Sequence, residues 1–215
     1  MRITTVFASL FLSAAAIAAP TPPGVTNQLS WDGLDGYLSM ETPRPGGSVL
    51  SADDFYVPAS TRQWVVREIR ALVIADSAAP ASEFRLRIFA DFGHAAGSGA
   101  PSSLRLLRTG AASVTDRGLA ILGYHLYEVR FNLGPRDLAL SPNTWNWVCV
   151  DHVNGPADPR TFFIATFGAG ALNGSTGQLT SDLTRGPWHA PEIGSPTDFA
   201  YYVRAEPFGR VFPRP

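Results

Sequence analysis

The stretch YEVRFNL, residues 127–133, is the clearest indication of the fold in this chain. Its apolar side chains occupy every second position: Tyr127, Val129, Phe131 and Leu133. Glu128, Arg130 and Asn132 stand between them. Because successive side chains of a strand point to opposite faces, this alternation predicts a half-buried antiparallel strand, with one face on a core and the other in water.

The same period of two recurs at 84–89 (FRLRIF) and at 198–204 (DFAYYVR). Two further runs, 64–75 and 144–150, are apolar on both faces over much of their length, which is typical of central strands of a sandwich that are covered on one side and partly shielded on the other. The alternation changes phase at Leu126 and Tyr127, and we expect a β-bulge there that keeps both halves of the strand facing the core.

The connections between these runs are rich in turn-forming residues, in keeping with 20 Gly and 18 Pro among 215 residues. We find no convincing amphipathic helix of three turns. Seven or eight strands joined by such turns predict an all-β fold, an antiparallel β-sandwich that is jelly-roll-like. The length favours a single domain, which we place at 31–210, followed by a short tail at 211–215.

The first 18 residues have the composition of a signal peptide. Arg2 precedes an apolar run that ends in small residues, and Ala16-Ile17-Ala18 fits the cleavage rule for secretion. The run is short for a transmembrane helix, so we expect no membrane span. The Pro-rich segment 19–30 is interpreted as a linker. The sequence therefore predicts a secreted, extracellular protein, of either bacterial or fungal origin.

The charge and the single cysteine narrow the range of partners. All 17 basic residues are Arg, and without Arg2 the mature chain has 16 Arg against 18 acids, a net charge of −2. Such a chain has no general attraction for nucleic acid.

Cys149 lies in an apolar run, which favours a buried and inert thiol, although an odd cysteine in a secreted protein can also pair between chains.

Evidence for catalysis is weak. The chain lacks the nucleophile elbow, the phosphate-binding glycine loop and the zinc-protease helix motif. We interpret His94, His152 and His189 as solvated loop residues.

A sandwich glycoside hydrolase or lyase needs two facing carboxylates, and Glu68 and Glu128 are the best candidates. Both have Arg neighbours, so the alternative is that they form cross-strand pairs on a solvated face.

The adjacent acids Asp53 and Asp54 raise the question of a metal site. In a strand they point to opposite faces, which argues against a catalytic dyad. One of them could join loop carbonyls and Asp91 or Asp198 around a structural calcium ion. The competing interpretation is that their oxygens accept backbone N–H groups and form the turn into the next strand. We expect no other cofactor.

Exposed aromatic side chains are the main indication of a ligand. Trp31, Tyr56, Trp188 and Tyr202 lie in predicted loops or on polar strand faces, and sugars bind such rings beside polar groups. The long segment 169–196 carries Trp188, which with His189, Arg185 and Tyr202 forms our candidate ligand site. The alternative is that these rings cover the ends of the core. Asn173 begins a sequon for N-glycosylation in a eukaryotic host.

Several short motifs resemble a known domain. They are ADDFYVP (52–58), VREIRALVIA (66–75) after Trp64, the strand FRLRIFADFG (84–93) before a Gly-Ala-Pro turn, and LALSPNTWNWVCV (138–150). In this order they resemble a β-sandwich domain of secreted and surface-anchored bacterial proteins. The resemblance covers about 50–152 and 197–205 and implies a displayed or appended sandwich without an established activity.

These observations lead to one expectation and two alternatives. We expect a secreted, non-catalytic β-sandwich with an extracellular binding or structural role, and recognition of a carbohydrate or cell-wall polymer is the candidate for that role. The first alternative is the sandwich-type hydrolase or lyase that uses Glu68 and Glu128. The second is an assembly subunit of a coat or matrix.

Overall fold

The computed structural model describes residues 25–27, 31–41, 48–93, 99–119, 123–153, 162–167, 178–180, 188 and 199–211. Within them lie fourteen strands and one 3-10 turn at Ala81–Glu83, and no α-helix. The strands are β1 Val25–Asn27, β2 Trp31–Leu38, β3 Met40–Glu41, β4 Leu50–Val57, β5 Arg62–Ala75, β6 Phe84–Phe92, β7 Ala100–Thr109, β8 Ser113–Leu119, β9 His125–Asn132, β10 Ala139–Leu140, β11 Thr144–Val153, β12 Phe162–Phe167, β13 Gln178–Thr180 and β14 Tyr201–Val211. The predicted all-β class is confirmed. The strands outnumber the seven or eight predicted in part because β1, β3, β10 and β13, of two or three residues each, are too short to show a period of two.

The larger sheet is built around β5, the longest strand. One side of β5 pairs with β10 and then β9, which in turn pairs with β8. The other side of β5 pairs with β14 and then with β12. β14 in turn pairs with β1, and β12 pairs with β2. All of these pairs are antiparallel.

The smaller sheet has the strand order β13-β4-β11-β6-β7. These pairs are antiparallel as well, whereas the two-residue β3 lies parallel to β11. The described strands thus form the two sheets of the predicted antiparallel sandwich.

The core lies between the inner faces of the two sheets. From β9 it takes Tyr127, Val129 and Phe131, as the alternation in 127–133 predicts. β5 contributes Ile69, Ala71 and Val73, and the smaller sheet closes the core with these side chains: Phe55, Val57, Phe84, Leu86, Ile88, Val148 and Val150. Because each large apolar side chain contributes about 1.5–3 kcal/mol when buried, this shared cluster holds the sheets together.

The predicted bulge at Leu126 and Tyr127 is wrong. The β5–β9 ladder runs without a shift from Glu68↔Asn132 to Ala75↔His125. Leu126 therefore lies on the outer face, where it packs against the cluster of Leu72 and Ile74. The phase change that the sequence shows is thus a second apolar contact outside the core, and no extra residue is inserted in β9. The irregularity at this point lies in the neighbouring strand β8, where the β8–β9 register shifts between Asp116 and Leu119.

Both central strands are apolar on two faces, as predicted. On β5, Leu72 and Ile74 form an outer cluster with Ala165 and Ala200. On β11, Trp147 and Cys149 face outward and pack with three residues of neighbouring strands: Leu50, Ala52 and Phe89. Each sheet therefore has a buried apolar area on its outer face in addition to the shared core.

Two hydroxyl groups continue the contact between β4 and β11 beyond the last ladder pair, Cys149↔Ala52. The Tyr201 hydroxyl accepts a hydrogen bond from Val150 N at 3.2 Å and donates one to Ser51 O at 3.3 Å. The Ser39 hydroxyl donates to Val150 O at 2.7 Å and accepts from Ser51 N at 3.4 Å. Tyr201 belongs to the larger sheet, so its hydroxyl links the two sheets across the core.

The predicted solvated position of His152 is also wrong. β11 extends to Val153, and His152 is fully buried near its end. Its ring stacks on Phe162 with centroids 3.6 Å apart, and its Nε2 lies 2.9 Å from Glu83 Oε2. His152 thus belongs to the packed interior. His94 and His189 lie outside the described residues.

β1 lies within the segment that we interpret as a linker. Its residues pair with Tyr202, Val203 and Arg204 of β14. At the other end, β14 runs to Val211, one residue into the predicted tail. The division into signal peptide, linker, domain and tail stays a prediction.

Candidate functional site

Glu68 and Glu128, the candidate catalytic pair, lie on the outer face of the larger sheet. They are buried rather than solvated, with 2% and 7% of their surfaces exposed. Glu68 Oε1 accepts from Arg70 Nη2 and Glu68 Oε2 from Arg130 Nη2, both at 2.5 Å. Glu128 contacts Arg117 and lies 3.6 Å from Arg70 Nη1. The predicted pairing with arginines is confirmed, but the predicted solvated setting is wrong.

This arrangement is unfavourable for acid–base catalysis. A general acid must have its carboxyl proton within reach of the substrate. Both oxygens of Glu68 are instead occupied by guanidinium donors within the sheet. The geometry fits a structural ion-pair network across neighbouring strands.

Tyr202 lies on the same outer face, directly opposite Arg70. Its ring is half-buried, and the Arg70 guanidinium carbon lies 4.9 Å from the ring centroid. This is the distance of a cation–π contact, which orients both side chains. Tyr202 therefore belongs to the charged network of the larger sheet.

Trp188 lies on the other side of the sandwich. Its half-buried ring packs edge-on against Phe89 of the smaller sheet, with centroids 5.3 Å apart. Trp188 and Tyr202 are thus on opposite outer faces, and the structure does not bring them together in one site. Arg185, His189 and Asn173 lie outside the described residues, as does the side chain of Trp31.

Asp53 and Asp54 occupy the middle of β4 and are both buried. Asp53 faces the core, where Oδ1 accepts Asp54 N at 3.0 Å and Oδ2 accepts Phe199 N at 2.8 Å. Asp54 faces outward opposite Trp147. The carboxylate of Asp53 thus accepts backbone N–H groups, as the second interpretation predicts, but inside a strand and not at a turn.

The calcium site that we considered needs Asp91 or Asp198 beside one of these acids. Asp91 Oδ1 accepts the Trp147 indole N–H at 2.8 Å, and Asp198 lies outside the described residues. In the part of the chain that the structure describes, no three His, Cys, Asp or Glu side chains are grouped as metal ligands. Calcium binding stays a prediction.

His125 is the first residue of β9. Its Nδ1 lies 2.9 Å from Asp116 Oδ2. The pKa of Asp116 is lowered, first by the hydrogen bond from the Gly118 backbone N–H and then by that of His125. The pair is exposed and lies at the edge of the larger sheet, so it is a local surface interaction.

A group of aromatic side chains occupies the outer face of the smaller sheet. Tyr56 of β4 and Trp145 of β11 are directly opposite each other, and their rings are 5.1 Å apart at 49°. Tyr56 is 39% exposed and Trp145 is half-buried. We call these two residues, with Asn143, which bonds to Tyr56, and Asp91, which bonds to Trp147 two positions along β11, the aromatic patch.

The backbone and hydrogen bonds hold the patch in place. Asn143 adopts a left-handed conformation with φ of 57°, which Asn tolerates better than most residues, and its side-chain oxygen accepts the Tyr56 hydroxyl. Asp91 is held by the indole of the fully buried Trp147. One exposed and one half-buried ring thus lie on the same sheet face as amide and carboxylate groups, an arrangement suited to a ligand with both apolar and hydroxyl groups.

Sequence reasoning included Tyr56 among the aromatic candidates but missed Trp145. The alternation in TWNWVCV places Trp145, Trp147 and Cys149 on one face, and this signal was present. The run as a whole is typical of a central strand that is covered on one side and partly shielded on the other. Only the end of that strand is uncovered, which a local pattern does not reveal.

The thiol of Cys149 is not part of any site. Cys149 is free and fully buried, as predicted, behind the outer face of the smaller sheet. Burial raises the pKa of this thiol, and the nearby Asp151 carboxylate raises it further. A neutral buried thiol is a poor nucleophile.

Comparisons with known proteins add no relatives. The chain matches no protein-family model, no curated protein and no solved structure. Among the residues described here, no helix is long and apolar enough to cross a membrane.

Proposed function

We propose that this chain is a secreted, non-catalytic β-sandwich protein that binds an extracellular glycan through its aromatic patch. The observation that carries the proposal is the Tyr56–Trp145 ring pair on the outer face of the smaller sheet, where the two rings lie 5.1 Å apart, Tyr56 is 39% exposed and Trp145 is half-buried.

Sugar chemistry matches this surface. A pyranose ring has a face of C–H groups and a rim of hydroxyls, so it packs on an aromatic ring while its hydroxyls bond to neighbouring polar groups. Tyr56 and Trp145 supply the rings, and Asn143 and Asp91 supply the polar groups. No described arginine belongs to the patch, and this favours a neutral glycan over an acidic one.

The arginine contacts of Glu68 and Glu128 favour a binding role over the hydrolase or lyase alternative. Glu68 is held by Arg70 and Arg130, and Glu128 by Arg117. Neither carboxylate is left to protonate a leaving group. The coat or matrix alternative has no specific observation in its favour.

The N-terminal sequence supports secretion, and so does the resemblance to exported bacterial sandwich domains. We expect the mature chain to begin at Ala19. Mass spectrometry of the protein from culture supernatant would measure this, and intact protein retained in the cells would contradict it.

Glycan binding is tested with single substitutions in the patch. Tyr56→Ala and Trp145→Ala should each weaken retention on a panel of insoluble neutral polysaccharides and on a glycan array by tenfold or more, about 1.4 kcal/mol. Phe208→Ala is the matched control, because Phe208 is 49% exposed on the larger sheet. Circular dichroism would check that each variant is folded.

Two outcomes would overturn the proposal. One is that folded Tyr56→Ala and Trp145→Ala bind as the parent does, and the other is that the parent binds no glycan in either assay. A Trp188→Ala variant in the same assays tests whether the earlier candidate site contributes. We expect a smaller loss there, since Trp188 is already packed on Phe89.

A further inference from the structure

Four arginines cluster on the outer face of the larger sheet. Arg117 lies on β8, Arg130 on β9, Arg70 on β5 and Arg204 on β14, four strands that are neighbours in the sheet. Arg70 and Arg130 are 30% and 41% exposed at their side chains, and Arg117 is 50% exposed. Arg204 is exposed as well. We call these four residues the arginine patch.

The patch contains a pair of like charges in direct opposition. Arg70 and Arg130 are Cα partners in the β5–β9 ladder. Like charges opposite each other destabilise a sheet unless a counterion lies between them. Glu68 is that counterion, since one of its oxygens accepts from each guanidinium.

The patch has more positive than negative charge. Its four guanidinium groups are accompanied by two carboxylates, Glu68 and Glu128, which leaves a surplus of two positive charges. Arg204 forms no ion pair with another described residue, although its Cα partner on β5 is Glu68. The neighbouring Arg67 is neutralised separately by Glu206 at 2.6 Å.

An apolar ring lies beside these charges. Tyr202 of β14 is directly opposite Arg70 and holds its guanidinium by a cation–π contact. The surface therefore combines planar guanidinium donors with one half-exposed aromatic ring. Guanidinium groups bind carboxylates through two parallel hydrogen bonds, which a lysine cannot do.

We propose that the arginine patch binds the carboxylate groups of an acidic polysaccharide. A uronate sugar carries a planar carboxylate on a ring with a C–H face, and both features have partners here: the guanidinium groups and the Tyr202 ring. Nucleic-acid phosphates also bind guanidinium groups, so the test below compares the two kinds of polyanion directly. This site goes beyond the proposed glycan binding, because it uses the opposite face of the sandwich and a ligand of different charge.

The test uses immobilised polygalacturonate as the probe, with the full mature chain in solution. The parent should bind at an ionic strength of about 0.01 M and lose most of its affinity as salt rises to about 0.15 M, where charges are screened beyond roughly 8 Å. Arg204→Gln should lower the affinity about tenfold, as expected for loss of one charge-assisted contact.

Arg105→Gln is the matched control. Arg105 is exposed on β7 of the smaller sheet, and its removal changes the net charge by the same amount. We expect its affinity to stay within twofold of the parent. Because Arg204 lies outside the ion-pair network, Arg204→Gln should retain the parent's thermal midpoint. A loss of binding would then come from the missing contact between the Arg204 guanidinium and the ligand carboxylate, and not from unfolding.

Three results would overturn this inference: no binding of the parent, equal losses for Arg204→Gln and Arg105→Gln, or equal binding to fully methyl-esterified polygalacturonate. Tighter binding to a DNA fragment of equal charge would overturn the assignment to a polysaccharide. Tyr56→Ala should bind polygalacturonate as the parent does, and this separates the arginine patch from the aromatic patch.

Discussion

Burial decides the chemistry of individual residues in this protein. Cys149 is the one cysteine of a chain that is expected to be secreted, yet it has no exposed surface. Pairing between chains would require this thiol to leave a packed cluster with Trp147 and Phe89. Similarly, Asp53 is a carboxylate placed inside the core, where backbone N–H groups bind it.

We expect iodoacetamide to leave Cys149 unmodified in the folded protein and to alkylate it on unfolding. Because its pKa is raised by burial, the folded state holds the thiol proton more tightly than the unfolded state does. The resulting stability is present below the ordinary thiol pKa of 9.0 and is lost as the pH rises above it. Urea unfolding at about pH 8 and about pH 10 measures this loss, which should be smaller in Cys149→Ala.

Burial also raises the pKa of Tyr201 well above its ordinary value, so part of the alkaline loss should remain in Cys149→Ala. Alkylation of the native protein at the rate of a small free thiol would contradict the buried position. So would a free energy of unfolding that rises above pH 9.

At the scale of the strands, the contribution of an ion pair to stability depends on how deeply the pair is buried. The β5–β9 pairing places Arg70 against Arg130, with Glu68 almost fully buried between them. Arg108 of β7 pairs with Asp137 at 2.8 Å, but these side chains are 43% and 33% exposed. The ion pairs of Glu68 lie in the middle of the larger sheet, whereas the Arg108–Asp137 pair lies at β7, the edge strand of the smaller sheet.

We expect Glu68→Ala to lower the free energy of unfolding by about 3 kcal/mol, since it leaves two guanidinium groups facing each other without a counterion. This is the lower end of the range for broken buried pairs, because Arg70 and Arg130 are partly exposed. Arg108→Ala should cost less than about 1 kcal/mol. Denaturant unfolding of both variants measures the difference, and equal costs would contradict the structural role of Glu68.

At the scale of the whole molecule, the two sheets share a core, and a hydrogen-bonded junction at Tyr201 crosses it. Tyr201 extends from β14 of the larger sheet to backbone atoms of β4 and β11 in the smaller one. Its ring is in the core cluster and its hydroxyl is fully buried in this junction. The packing of the sheets therefore depends on polar as well as apolar contacts.

Tyr201→Phe removes only this hydroxyl and leaves the buried Val150 N–H without its partner. We expect a loss of about 1–3 kcal/mol in the free energy of unfolding, the usual cost of an unsatisfied buried donor. Tyr202→Phe, on the outer face of the same strand, is the control and should change stability by less than about 0.5 kcal/mol. Similar losses in the two variants would show that the junction does not stabilise the sandwich.

The strand content of this protein is readable from its sequence. The alternation at 127–133, the apolar runs on both faces of β5 and β11 and the burial of Cys149 all follow from local patterns. They are local because a strand repeats every two residues, so a few neighbouring side chains are enough to show which face is covered.

The sites depend on what lies across the strands, and only the tertiary structure decides that. Tyr56 meets Trp145 from 89 positions away, and Asp53 accepts the N–H of Phe199, which is 146 residues distant. The burial of His152 and the common counterion of Arg70 and Arg130 arise in the same way. A local pattern assigns a side chain to a face of its own strand. Its neighbours on that face are set by the order and register of the strands, and hence by the packing of the whole chain.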